Sequence, residues 1–293
     1  MTLFGLSEPV VRLLAFSTIF LTLALIELAA PRLEREEMRG ALKTRRWVTN
    51  LAMVVLSSVA LRLVFPMAAV GTALWAQSQG LGLFALIDLP PWLAGLIAFV
   101  VLDFAVWLEH VASHKWPWLW RIHRMHHADT GFDLTTALRF HPLEIVLSMV
   151  WKAAVIVALG ASPVAVLVFE VVLNGAAMFN HANIRLPRRA DRILRLLIVT
   201  PDMHRIHHST DRRETDTNYG FNLAVWDRLF ATYTPVPRRG ETGIEIGLSD
   251  WRDGRTARLG WALMLPFTAG GGAAGTAPKV SKARSGTSAD KAR

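Results

Sequence analysis

Long apolar segments recur along this 293-residue chain, and they limit its possible folds more than any other feature. A helix crosses the ~30 Å hydrocarbon core of a bilayer with roughly 20 mostly apolar residues. Segments of that kind occupy residues 9–30, 51–75 and 92–108. A longer apolar tract, from Leu143 to Met178, contains "LGASP" near its middle, which predicts a helical hairpin. The sequence therefore predicts an all-α integral membrane protein with about four to five transmembrane helices.

The placement of basic residues predicts how these helices are oriented. Six Lys and Arg residues lie in the connection between residues 32 and 46, whereas residues 77–92 contain none. Because basic connections stay on the cytoplasmic side, we expect the first connection there and the second on the opposite side. Alternation then places all ten histidines on or near the cytoplasmic face of the inner membrane, if the source is bacterial, or of the endoplasmic reticulum, if it is eukaryotic.

Composition excludes several kinds of partner and site. The net charge of +9 comes from Lys and Arg residues that flank apolar segments, where they suit anionic lipid head groups rather than nucleic acid. The absence of cysteine excludes disulfides, iron–sulfur ligation and thiolate zinc sites. The glycines at 270–272 neither follow a strand nor open a helix, so they are not a dinucleotide-binding motif. Any metal is therefore bound through nitrogen and oxygen, and any electrons come from another protein.

The pattern H-x-x-H-H occurs twice, as "HRMHH" from residue 123 and as "HRIHH" from residue 204. At 100° per residue, the three imidazoles of each copy span about 100° of a helix surface and can face one cavity. His110 and His114, four residues apart, share a helix face. These eight imidazoles exceed the four ligands of a single zinc ion, so the pattern predicts a site for two metal ions. With two isolated histidines added, the candidate ligands are His110, His114, His123, His126, His127, His141, His181, His204, His207 and His208.

These residue types alone leave the metal and the class of function open. Imidazole binds zinc, copper, iron and nickel. A zinc-dependent membrane hydrolase is one alternative, although the clusters lack the Glu of the H-E-x-x-H motif. A metal transporter or a non-enzymatic metal-binding protein is another alternative. Its polar ligands would lie along the transmembrane segments, whereas these histidines lie just beyond the ends of the apolar segments.

Six blocks between residues 97 and 236 resemble, in order, the fatty acid hydroxylase and sterol desaturase superfamily. They are "DFAVWLEHVASH", "LWRIHRMHHAD", "TTALRFHPLE", "FNHANIRLP", "TPDMHRIHHS" and "NYGFNLAVWDRLFATY". The resemblance implies an integral membrane enzyme with a histidine-ligated di-iron centre. Such an enzyme uses O2 to hydroxylate, desaturate or oxidatively cleave a lipid, for example a sterol, a fatty acyl chain or an ether lipid. Its electrons are expected from an external reductase and a carrier of the ferredoxin or cytochrome type.

The same resemblance implies roles for the histidines. The clusters match the metal ligands of the superfamily, and His181 matches the isolated histidine that precedes the last cluster. His141 matches a block that many members share, and it is included among the candidate iron ligands.

Asp103 lies inside an apolar segment, where an ionisable group is costly and therefore often functional. It precedes His110 by seven residues, or two helical turns, and so shares its helix face. We therefore expect Asp103 to serve the catalytic centre from beside the metal ligands. A buried structural hydrogen bond is the alternative.

The chain is expected to form one membrane-embedded unit without an internal linker. Residues 1–96 should supply N-terminal transmembrane helices, and residues 97–236 should form the catalytic domain with the histidine clusters. Residues 237–269 should form a peripheral segment. Residues 270–293 are rich in Gly, Ala, Ser and Lys, and we expect them to be disordered.

Overall fold

The computed structural model describes residues 2–3, 5–34 and 38–270. Within those ranges the chain forms thirteen α-helices and one antiparallel pair of strands, β1 (Thr2–Leu3) and β2 (Leu6–Ser7). The helices are α1 (Glu8–Ala29), α2 (Gly40–Val64), α3 (Ala68–Ser78), α4 (Pro91–Lys115), α5 (Pro117–His127), α6 (Pro142–Leu159), α7 (Pro163–His181), α8 (Arg188–Leu194), α9 (Pro201–His207), α10 (Arg212–Thr215), α11 (Val225–Leu229), α12 (Gly240–Gly243) and α13 (Leu259–Met264). Short 3-10 helices include Leu83–Ala85, Leu134–Leu138, Arg255–Ala257 and Leu265–Phe267. The tail expected to be disordered lies, from residue 271 onward, outside the described residues.

Five segments of the described chain are long and apolar enough to cross a membrane. They are Glu8–Ala29, Gly40–Ala85, Pro91–Lys115, Pro142–Leu159 and Pro163–His181. Many of their apolar side chains remain exposed, as expected of helices that face lipid. The predicted fold class, an all-α membrane protein with four to five transmembrane helices, is confirmed.

Local sequence explains the ends of these helices. At the predicted hairpin, α6 ends at Leu159 and is capped by Gly160 in the left-handed conformation (φ 69°). The Ser162 side chain accepts a hydrogen bond from the Ala165 N–H of α7. The hairpin is thus confirmed. The segment predicted as one apolar span at 51–75 is instead two helices, because the chain breaks around Pro66, between α2 and α3.

The helices bring the histidines together at one end of the bundle. The fourth helix continues beyond its apolar segment to Lys115, so that His110 and His114 occupy its last turns. The fifth helix begins with Pro117, which suits the first turn of a helix, and carries the first H-x-x-H-H copy. The seventh ends at His181, and α9 with the residue that follows it carries the second copy.

Two apolar clusters frame this histidine end. The larger joins α3, α4, α6 and α7 through buried residues such as Val70, Leu102, Ile156 and Phe169. A smaller cluster packs the C-terminal segment onto α2 and α5, through Met53, Met125, Ala128, Ala262 and Leu265. The histidine-bearing α5 is therefore covered by chain from both ends of the sequence.

Candidate metal centre

Nine buried histidines form two adjoining groups. The five-histidine group consists of His110, His114, His123, His127 and His207. The four-histidine group consists of His126, His181, His204 and His208. One ring nitrogen of each member lies within 4.8 Å of those of the other members of its group, and no ring is more than 4% exposed. The fold thus brings together nine of the ten candidate histidines.

Each H-x-x-H-H copy supplies both groups. His123 and His127 enter the five-histidine group, whereas His126 enters the four-histidine group. The second copy does the reverse, with only His207 in the five-histidine group and its other two histidines in the four-histidine group. Residues four apart differ by about 40° around a helix axis, and the third residue on lies about 60° to the other side. The repeated pattern therefore builds two adjacent sites from the same helices.

Hydrogen bonds at Nδ1 determine the tautomer of key rings in the five-histidine group. The Nδ1 of His110 lies 2.7 Å from the Tyr219 carbonyl oxygen, and the Nδ1 of His207 lies 2.7 Å from the Thr217 carbonyl oxygen. A carbonyl oxygen only accepts, so each Nδ1 donates its proton, and the Nε2 of each neutral ring carries a lone pair. These two Nε2 atoms nevertheless lie 3.1 Å apart.

Facing lone pairs at such a distance repel each other unless a cation lies between them. Nitrogen ligands bonded to one ion at about 2.1 Å are themselves about 3.0–3.4 Å apart. In the four-histidine group, His181 donates from Nδ1 to the Ala177 carbonyl, and its Nε2 lies 3.1–3.2 Å from the Nε2 atoms of the other three members. The donor set and its spacing therefore fit a metal ion in each group.

Burial keeps these rings in the form that binds metal. It lowers the pKa of His123 to about 3. Burial, reinforced by neighbouring imidazoles, also holds the pKa values of the other histidines on or next to α5 and α9 well below their usual range. Neutral imidazole is the metal-binding form, so this part of the site needs no deprotonation before a metal binds.

Glu144 supports His123, and sequence reasoning missed it. Its Oε1 accepts a hydrogen bond of 2.5 Å from the His123 Nδ1, so that this ring also presents Nε2 to its group. The Nε2 atoms of His123 and His110 lie 3.2 Å apart. The available signal was an acidic residue in an apolar segment, three residues after His141.

His141 lies outside both groups. Its Nδ1 accepts a hydrogen bond of 3.2 Å from the Leu143 N–H at the start of α6. Its Nε2 donates a hydrogen bond of 3.2 Å to the Leu263 carbonyl oxygen. These two bonds occupy both ring nitrogens, so His141 caps a helix and fastens the C-terminal segment.

Asp103 holds the chain that surrounds the histidines. Its Oδ2 accepts hydrogen bonds from the Trp226 Nε1 at 2.8 Å and from the Leu223 N–H at 3.2 Å. Both donors follow Tyr219, whose carbonyl orients His110. The geometry thus corresponds to the structural alternative, in which Asp103 acts on the site only by positioning this segment.

A cavity of about 690 Å³ reaches the five-histidine group from within the bundle. Both histidines that line it, His110 and His123, belong to that group. Much of the wall is apolar and includes Phe16, Val54, Val106, Leu138, Ile145 and Met178. An apolar cavity with a few polar groups at one end is a typical site for a lipid-like ligand.

The family model for fatty acid hydroxylase matches residues 95–232, which contain all ten histidines. The sequence of this part of the chain is therefore similar to a fatty acid hydroxylase domain. The resemblance seen in the sequence is therefore confirmed, and both histidine groups lie entirely within the matched residues.

Named relatives match about half of this chain. The ornithine lipid hydroxylase OlsE of Rhizobium tropici is 30% identical over 151 residues, which are 52% of this chain and 45% of that protein. The alkylglycerol monooxygenase of Homo sapiens is 28% identical over 158 residues, 51% of this chain and 33% of that protein. The cholesterol 25-hydroxylase of Rattus norvegicus is 26% identical over 145 residues, 48% of this chain and 47% of that protein. The matches thus span less than half of each relative, and no solved structure matches the chain.

Proposed function

We propose that this chain is a membrane-bound oxygenase that binds two iron ions in its histidine groups and oxidises a lipid. The observation that carries the proposal is the convergence of nine buried imidazoles in two adjoining groups beside an apolar cavity. The named relatives are lipid hydroxylases and monooxygenases, which supports a lipid substrate and an oxidation. Hydroxylation, desaturation or oxidative cleavage of a sterol, a fatty acyl chain or an ether lipid would each fit such a site.

In this proposal the chain's own residues bind the metals, orient the histidine rings and exclude water from the cavity. The nine grouped histidines bind the metals, and the Tyr219 carbonyl and Glu144 orient His110 and His123. The iron ions, when bound, supply the activation of O2 for oxidation of an unactivated C–H bond. The apolar wall of the cavity positions one methylene group and excludes water. His141 is assigned a structural role, and Asp103 a positioning role.

Electrons are proposed to come from a separate protein. Insertion of one oxygen atom from O2 into a C–H bond consumes two electrons and two protons and releases the second atom as water. The sequence has no dinucleotide-binding motif that would supply those electrons from a bound flavin or nicotinamide. An external reductase with a ferredoxin or cytochrome carrier fills that role. Turnover by the purified protein with NADH or NADPH alone would contradict this part of the proposal.

We further propose that the histidine layer faces the cytoplasm. The basic residues at 32–46 lie before α2 and in its first turns, which contribute to the same end of the bundle as the histidines. In this arrangement residues 1–96 form the N-terminal helices, 97–236 the catalytic domain and 237–269 a peripheral segment. Reporter fusions after Arg46 and after Thr210 should give signals from the same side of the membrane, and signals from opposite sides would overturn the arrangement.

Metal content and lipid products test the function together. Protein purified without added metal should contain about two irons per chain. Lipid extracts of cells that express it should contain lipids that are heavier by one oxygen, or lighter by two hydrogens, than their precursors. These lipids should be absent from cells that express His126→Ala. A single zinc per chain, with no oxidised lipid, would instead favour the hydrolase, and metal without any lipid change would favour a binding or transport protein.

A further inference from the structure

The cavity has a charged end as well as an apolar wall. Three cations line it, Arg12 of α1, Arg62 of α2 and Lys152 of α6, and all three lie in segments apolar enough to cross a membrane. Ionisable groups in such segments are costly, and they commonly mark a ligand site. The metal centre does not account for these cations, so the free-energy cost of placing them in apolar segments is explained by some other role.

Acidic partners neutralise only part of this charge. Glu170 of α7 accepts a hydrogen bond of 2.6 Å from the Arg12 Nη2 and one of 3.4 Å from the Lys152 Nζ. Arg12 also bonds to Glu8. The Arg62 side chain is exposed, and its hydrogen bond goes to a neutral group, the Pro66 carbonyl oxygen, at 3.3 Å.

No ion pair joins Arg62 to a carboxylate of the described chain. Arg12 and Lys152 are paired with Glu8 and Glu170, and Glu109, which also lines the cavity, accepts a hydrogen bond from Ser148. Arg62 is therefore the cation of the three that lacks an acidic partner in the described chain. A positive charge in an apolar environment is stabilised by an anion.

One face of α6 connects the charged end to the five-histidine group. Glu144, Ser148 and Lys152 follow at four-residue spacing, share a helix face and all line the cavity. Glu144 bonds to His123 at one end of this row. Eight residues of helix rise by about 12 Å, which is the length of an extended acyl segment of roughly nine or ten carbons.

We propose that Arg12, Arg62 and Lys152 form a subsite for the anionic group of an amphiphilic lipid substrate, whose chain runs toward His123. The anionic group is a carboxylate or a phosphate, because both accept charge-assisted hydrogen bonds from guanidinium and ammonium groups. The apolar wall between the two ends suits the methylene groups. The identity of this ligand as a substrate rests on the proposed lipid oxidation.

Equilibrium binding tests the subsite without turnover. The full-length protein is purified in a non-ionic detergent, and binding of radiolabelled palmitate, dipalmitoyl phosphatidate and hexadecanol is measured at pH 8. Hexadecanol keeps the palmitate chain but lacks its charge. We expect one or both anions to bind at least about tenfold more tightly than hexadecanol. The anion that binds more tightly identifies a free fatty acid or a phospholipid as the source of the charge.

Variants locate that preference in the cavity. Arg62→Met and Lys152→Met should each weaken binding of the preferred anion by about tenfold and leave hexadecanol binding within about twofold. Lys152→Arg keeps the charge and should keep the preference. Arg45→Met removes an exposed cation from α2, outside the cavity lining, and should change none of the three affinities.

Either of two results would overturn the subsite: equal wild-type affinity for the three probes, or unchanged anion affinity in both methionine variants. If Lys152→Met does not fold, because Glu170 loses a partner, the exposed Arg62 carries the test alone. The proposed oxidation can fail separately. Charge-dependent binding without any oxidised lipid would refute that function and leave a lipid-binding site, whereas oxidised lipid with charge-independent binding would refute only the subsite.

Discussion

The two histidine groups lie side by side, yet their surroundings differ. The five-histidine group borders the cavity through His110 and His123, and the Glu144 carboxylate supports it. No histidine of the four-histidine group lines the cavity, and Phe140, which does, stacks on the His126 ring at 4.4 Å and covers it from that side. A cavity gives access to a substrate, and aromatic packing excludes water. We therefore expect the substrate to approach the five-histidine group, with the other group acting from the enclosed side.

Buried ion pairs lie beyond the four-histidine group. Arg46 of α2 bonds to both carboxylate oxygens of Asp129, at 2.5 and 2.8 Å, and to Asp133 at 3.0 Å. A Cβ at Gly131 would overlap the Arg46 guanidinium, so glycine is needed for this approach. The loop after α5 is thus held by a helix from the N-terminal part of the chain. The five-histidine group is thus open to a ligand in the cavity, whereas the four-histidine group lies near a loop that buried ion pairs hold in place.

The largest effect should follow the loss of a ligand, and its size should differ between the groups. His204→Ala leaves three imidazoles in the four-histidine group, whereas His114→Ala leaves four in the other group. We expect both changes to abolish product formation, because the residues of a two-metal site act as a unit. His204→Ala should also lose more iron. Iron per chain and product formed, measured in matched membranes, check this, and full iron with normal turnover in either variant would show that the groups are not the site.

A smaller loss should follow from the support that only the five-histidine group receives. Glu144→Gln replaces the carboxyl group that bonds to the His123 Nδ1 by an amide and keeps the shape of the side chain. We expect activity to fall by about 10–100-fold, with the protein still folded. Glu245→Gln, at an exposed position, is the control and should leave activity unchanged. Activity of Glu144→Gln within about twofold of wild type would remove this difference between the groups.

In metal-free protein, the stability that depends on the histidines and the stability that depends on the Arg46 ion pairs should be lost in different pH ranges. Burial lowers the pKa of His123 to about 3, below its unfolded value, so its neutral form stabilises the fold fully above about pH 6.5 and less as pH falls toward 3. Burial would raise the pKa of Asp129, but Arg46 outweighs it and lowers that pKa to about 2. The Asp129 contribution is therefore present above about pH 4 and lost toward pH 2.

Thermal unfolding of the metal-free protein in detergent checks this difference. The midpoint temperature of the wild type should decrease as the pH is lowered from 8 to 5. The additional decrease caused by Asp129→Asn should stay constant across that range. A wild-type midpoint that does not change with pH would contradict this. It would indicate that the folded protein binds protons at these rings as readily as the unfolded chain does.

The smallest effect should come from His141, the candidate histidine outside both groups. His141→Ala removes the acceptor for the Leu143 N–H and the donor to the Leu263 carbonyl. We expect a loss of about 1 kcal/mol in unfolding free energy, as for other lost helix caps. Iron per chain should not change. Loss of one iron would instead make His141 a ligand and would require the ring to turn away from α6.

Local patterns account for what could be predicted about the fold. Apolar length indicated the membrane-spanning helices, and Gly160 with Pro163 marked the hairpin, because both signals act over one or two helical turns. The break between α2 and α3 was missed, although Pro66 interrupts the predicted span. An apolar tract looks continuous by composition even where its backbone hydrogen bonding is interrupted.

Within the site, the candidate histidines followed from spacing, but their partners did not. Glu144 is 21 residues from His123 along the chain, and Trp226 is 123 residues from Asp103. Such partners meet only when helices pack, so spacing alone left Glu144 unnoticed and suggested that Asp103 faces the metals. Asp103 and His110 do share a face of α4, but two helical turns separate them, and Asp103 bonds to Leu223 and Trp226 instead.

By itself, the sequence determined that this chain forms apolar helices and carries histidines at the spacing of metal ligands, because helix length and helix periodicity are local properties. Only the tertiary structure decided that each H-x-x-H-H copy divides its imidazoles between two groups. It also decided that carbonyls orient His110 and His207. A hydrogen bond at Nδ1 leaves Nε2 free to bind a metal, and the acceptors of His110, His123 and His207 come from parts of the chain that only folding brings to α4, α5 and α9.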